Sequence, residues 1–167
     1  MTQTQAHKQA QPLIHGLKHL KLLGQRQLVL LSGDIDWAWE LLSDYCETDA
    51  NTIVITPKDS QLQSLTTDSK SKPLNGLTLI RPDKPNTMLG FNSTNAILDC
   101  SQGFYPDAIT AISGTINPGG FLFIICPNLN NWATSHDEFA EKRTSHGLGF
   151  QASSPNMIEH FLNHCQK

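Results

Sequence analysis

Five short apolar runs constrain this chain more than any other feature. They are QLVLL at Gln27–Leu31, TIVIT at Thr52–Thr56, LTLIR at Leu77–Arg81, AILD at Ala96–Asp99 and FLFIIC at Phe121–Cys126. Several are closed by turn or breaker residues, such as Ser32-Gly33, Pro57 and Pro127. Continuous apolar runs of this length read as strands buried on both faces, the usual state in a parallel sheet. The stretches between them are helix-prone. Gln5–Leu23 carries Leu13, Leu17 and Leu20 on one stripe and stops at Gly24. Proline suits a first helical turn, so Pro12 predicts that the ordered helix starts there and that residues 1–11 are flexible. Trp37–Glu47 puts Trp37, Leu41, Leu42 and Tyr45 on one helix face, behind a cap from Asp34 or Asp36. Pro85–Gly90 suits a helical turn, and Pro106–Ile116 a helix terminated by Pro118-Gly119-Gly120. Ser154-Pro155 opens a last helix to about Cys165, with Met157, Ile158, Phe161, Leu162 and Cys165 as its apolar stripe. Residues 58–76 and 128–154 are polar connections, the first with one helical turn near Ser60–Leu65. The alternation predicts an α/β fold: a mostly parallel five-stranded sheet with helices on both faces, a Rossmann-like three-layer sandwich.

At 167 residues the chain suits one domain over 1–167. A net charge of -3 argues against a dedicated nucleic-acid domain, which would be basic. The sequence holds no apolar run long enough to span a membrane and opens with no apolar signal segment, so the expected location is cytoplasmic. Cys46, Cys100, Cys126 and Cys165 form no CxxC pair and read as small buried hydrophobes. His15/His19 and His160/His164 each fall on one helix face at i, i+4 spacing. His160 and His164 point to solvent beside Glu159 and Asn163, and no Asp or Cys completes a tetrahedral set, so no metal site is expected.

An open parallel sheet binds ligands at the C-terminal ends of its strands. The positions to inspect are Ser32-Gly33-Asp34, Asp99-Cys100 and Pro127-Asn128. A strand, a small turn and a helix N-terminus can cradle an anion. Here, however, the loop holds one glycine, GxGxxG and GxxxxGKS/T are absent, and Asp34 and Asp36 would repel a phosphate. No GxSxG elbow marks a hydrolase. Cys100 follows a strand, a position from which a thiol can act as a nucleophile, but the sequence identifies no base for it. Asp137-Glu138 and Glu141-Lys142-Arg143 form a charged stretch whose Glu138 and Lys142 pair at helical spacing on a solvated face. The residues retained as a ligand or partner surface are Ser32, Gly33, Asp34, Trp37, Asp99 and Gly103, with no catalytic, cofactor-binding or metal-binding residue among them. A strand ending in Asp99, a helix and NPGGFLFII also suit the late part of a methyltransferase-like sheet. The alternative reading is therefore a stand-alone nucleotide- or S-adenosylmethionine-binding α/β protein.

Two segments together point elsewhere. LVLLSGDIDW (Leu28–Trp37) joins an apolar strand, Ser-Gly and a tryptophan that opens a helix. The second segment, Ile97–Pro127, carries Asp99, Gly103, Phe104, Ser113, Gly114, Thr115, Gly119, Gly120 and Pro127, with Trp132 soon after and Phe161 and Leu162 in a closing helix. In this pattern the chain resembles the N-terminal domain of the bacterial tRNA(Met) cytidine acetyltransferases. The resemblance is specific in the second segment and loose between residues 57 and 95. It implies that the chain is part of a longer protein with a helicase-like module, an acetyltransferase domain and a tRNA-contacting tail. The whole enzyme would use acetyl-CoA and ATP with Mg to acetylate the wobble cytidine of elongator tRNA(Met). No catalytic group of those later domains maps onto this sequence. The implied role is architectural: packing on the helicase-like module, with tRNA(Met) as a partner of the full protein and no membrane.

Overall fold

The computed structural model of the chain describes residues 3–46, 51–57, 77–135, 137 and 156–165. Five strands form one sheet: β1 (Gln27–Ser32), β2 (Thr52–Ile55), β3 (Leu77–Ile80), β4 (Ser93–Asp99) and β5 (Ile116–Cys126). All pairings are parallel and the order is β1-β5-β4-β2-β3. The helices are α1 (Gln3–Leu22), α2 (Ile35–Cys46), α3 (Pro106–Ser113) and α4 (Asn156–Cys165).

Side chains alternate across the sheet and so build two cores. Phe121, Phe123 and Ile125 of β5, Ile97 of β4 and Val54 of β2 pack with Leu17 of α1 and Ala38, Leu41, Leu42 and Tyr45 of α2. Leu122, Ile124 and Cys126, Ala96 and Leu98, and Ile53 and Ile55 face the other way, onto Ala108 and Ile112 of α3 and Ile158 of α4. The fold is thus the three-layer α/β sandwich that the alternating runs predict. Tyr45 meets Phe121 and Phe123 edge-on, with ring centres 6.0 and 5.5 Å apart. Burying a large apolar side chain contributes about 1.5–3 kcal/mol, so these two layers carry most of the driving force.

Several details depart from the sequence expectation. α1 runs through Pro12 and begins at Gln3. Proline removes one helical hydrogen bond, and the Gln, Ala and Lys residues around it favour helix. β1 is an edge strand, paired on one side with β5, and Leu28 is 42% exposed. Its apolar run therefore does not mean burial on both faces. α3 stops at Ser113, capped by Gly114, and β5 starts at Ile116. Pro118-Gly119-Gly120 consequently lies inside β5, next to a register shift between Ser93 and Asn95. Gly119 has φ +80°, and a Cβ on Gly120 would overlap the Thr94 carbonyl, so both glycines serve a strand irregularity. On α4, Ile158 is buried and Phe161 and Leu162 are half-buried, but Met157 is 56% exposed and Cys165 is exposed. Residues 58–76, the Glu138/Lys142 pair and Ser154-Pro155 lie outside the described residues. No helix among the described residues is long and apolar enough to cross a membrane.

Candidate functional site at the carboxyl edge of the sheet

The chain leaves β2 for the outer strand β3, and leaves β4 in the opposite direction for β5. The crevice between β2 and β4 is therefore the topological switch point, where doubly wound sheets place their ligands. Asp99 ends β4 there, and Thr56 directly follows β2. The Thr56 hydroxyl donates to Asp99 Oδ2 at 3.0 Å, and the Ser101 amide donates to Oδ1 at 2.9 Å. Asp99 is 0% exposed. Its carboxyl is thus held on both oxygens in the interior, as a buried acid must be. The Ser101 hydroxyl oxygen is buried with no hydrogen-bond partner among the described residues.

Cys100 does not suit nucleophilic chemistry. Its amide donates to the Ile125 carbonyl at 2.8 Å, which ties the exit of β4 to β5. Burial pushes the Cys100 thiol well above its ordinary range, and the neighbouring Asp99 pushes it the same way. A reactive cysteine needs the opposite environment. Burial also pushes Cys126 up to about 12.

The rest of this loop is packing. Gly103 is buried. The Phe104 amide donates to Asp137 Oδ2 at 3.3 Å. The Phe104 ring lies 5.5 Å from Trp132 and 5.4 Å from Phe161, and those two rings are 6.1 Å apart. Phe104, Trp132 and Phe161 are distant in sequence, and they converge on one aromatic cluster that joins the β4 loop, the turn after β5 and α4.

The other sequence-selected residues lie two strands away. Ser32 pairs with Cys126 in the β1–β5 register, so β5 separates this group from Asp99. The Ser32 hydroxyl donates to the Pro127 carbonyl at 3.3 Å and accepts from the Leu129 amide at 3.1 Å. Gly33 has φ +111°, a conformation that favours glycine, and donates its amide to the Cys126 carbonyl at 3.1 Å. Asp34 Oδ1 accepts from the Trp37 amide at 3.1 Å, making Asp34 the cap of α2. Trp37 is half-buried against the α1–α2 core. The six residues therefore form two groups: Ser32, Gly33, Asp34 and Trp37 at the sheet edge, and Asp99 with Gly103 at the switch point. Sequence reasoning missed Thr56 and Ser101. A signal existed for each, a polar residue closing TIVIT and a serine two residues past a strand-ending Asp, where Asx turns form. No group of three or more His, Cys, Asp or Glu among the described residues could hold a metal ion.

The class defined here is an all-parallel α/β domain in which the Asp99 carboxyl, the Ser32 hydroxyl and the Asp34 carboxylate at the carboxyl edge are engaged by the protein itself. The sequence matches the family described as tRNA(Met) cytidine acetyltransferase TmcA, N-terminal, over residues 6–167, and the chain belongs to that family. Among its relatives is a tRNA(Met) cytidine acetyltransferase TmcA of Pectobacterium atrosepticum, 24% identical over 148 residues, which are 89% of this chain and 19% of that protein. The protein of the same name from Haloferax volcanii is 25% identical over 71% of this chain and 14% of its own length. That of Salmonella typhimurium is 29% identical over 68% of this chain and 15% of its own. The matches thus span about a fifth or less of these relatives.

Proposed function

We propose that this chain is the non-catalytic N-terminal module of an ATP-dependent enzyme that acetylates the wobble cytidine of elongator tRNA(Met). It packs on a helicase-like module and helps to shape the surface that receives the tRNA. Acetyl-CoA and ATP with Mg belong to other domains of that longer protein. One observation carries the reading: the residues of the family pattern meet as packing and as internal hydrogen bonds. Phe104, Trp132 and Phe161 form one aromatic cluster, and the carboxyl of Asp99 is held by Thr56 and Ser101. Exposed Leu22, Leu23 and Leu28, grouped in sequence around the turn from α1 into β1, are consistent with an apolar surface for a neighbouring module. The nucleotide- or S-adenosylmethionine-binding alternative has weaker support. β1 lies at the edge of the sheet, and its loop caps α2 with an acid where an anion would sit.

The chain by itself is expected neither to hydrolyse ATP nor to transfer acetyl from acetyl-CoA to tRNA. Either activity above a no-protein control overturns the non-catalytic assignment. Filter binding is expected to give weak tRNA affinity that falls steeply with salt; tight, salt-resistant and tRNA(Met)-selective binding would assign the module a larger role.

A further inference from the structure

We propose that His160 and His164 on α4 form a surface chelate for a divalent first-row transition ion, copper(II) foremost. Spacing alone does not distinguish this pair from His15 and His19, which are also exposed one turn apart on α1. For the α4 pair the structure adds a close ring contact. The His160 and His164 ring centres are 4.3 Å apart and the rings are tilted by 47°. The two imidazoles are thus close neighbours on the exposed face of α4.

The second observation is a tautomer. His164 Nδ1 lies 2.8 Å from the His160 carbonyl oxygen. A carbonyl only accepts, so in the neutral ring Nδ1 carries the proton and the lone pair of His164 is left on Nε2. Metal-binding histidines are oriented in this way, with the second ring N–H donated to a carbonyl or carboxylate. The contact fixes both the ring and the nitrogen that an ion would meet.

The donor type selects the class of ion: imidazole nitrogens suit copper(II), nickel(II) and zinc, and copper(II) binds nitrogen donors most tightly in the divalent series. Both histidines are exposed, so water can complete the ion's coordination. An ion bridging one turn would also staple the C-terminal part of α4.

Titrating the 167-residue chain with copper(II) in a non-coordinating buffer tests this, read by electron paramagnetic resonance and by thermal unfolding. The expected result is a site with two nitrogen ligands and an upward shift of the unfolding midpoint. Introduced into H15A/H19A, H160A and H164A should each weaken that site by about tenfold or more and abolish the two-nitrogen signature. H15A/H19A, which keeps the α4 pair, should retain it. Because both positions are exposed, circular dichroism of H164A and of the milder H164Q should match the parent. The proposal is overturned if the parent shows no two-nitrogen site. It also fails if H164A and H164Q introduced into H15A/H19A bind copper as H15A/H19A does, or if the signature is lost in H15A/H19A and kept in H160A.

Discussion

Two loops leave the same edge of the sheet and differ in kind. The loop after β1 carries the residues that most resemble a ligand cradle: a serine, a glycine with positive φ and a helix N-terminus. There Gly33 and Asp34 are exposed, and the serine and aspartate bind nearby backbone. The loop after β4 has a plainer sequence, yet it lies at the switch point with a fully buried carboxyl. Cradle-like residue types thus mark local turn geometry, while position in the strand order decides which polar group is enclosed. The same hydrogen-bonding chemistry should then carry very different energetic weight in the two loops.

Substitutions can break that contrast. D99A should have the largest effect, about 3 kcal/mol of lost stability in urea unfolding, because it removes a fully buried carboxyl that accepts from both the Thr56 hydroxyl and the Ser101 amide. T56V keeps the shape and removes one donor to the buried carboxyl, for an expected loss of about 2 kcal/mol. A T56V/D99N cycle would sharpen this result; a coupling near zero would show that the two groups do not depend on each other. D34A, in the other loop, should cost about 1 kcal/mol as the loss of a helix cap. S32A should be mildest, about 0.5–1 kcal/mol, since water can reach a half-buried site. Equal effects at Asp34 and Asp99 would remove the distinction.

Much of this architecture can be read from short stretches of sequence. Each strand contains an apolar run, because burial on a sheet demands such runs locally, although β4 and β5 begin several residues before theirs. Asp34 capping α2, and α4 presenting His160 and His164 to solvent, likewise follow from neighbours within one turn. Strand order is different, because it joins residues far apart. Nothing in QLVLL shows that it lies at an edge while FLFIIC is interior. The site was half legible for the same reason. Asp99 stood out as the polar end of a strand, but its partner Thr56 is 43 positions away and is chosen only when β2 settles beside β4. The glycines at 119 and 120 read as the turn from helix into strand and instead lie inside β5, since a turn and a strand irregularity ask for the same residue.

The Ser32 hydroxyl bridges Pro127 and Leu129, so the first strand moors the segment that follows the fifth. The start and the finish of the described fold are therefore mechanically linked. Replacing the Ser32 hydroxyl alone would slacken the stretch that leads to Trp132, against which Phe161 of the last helix packs.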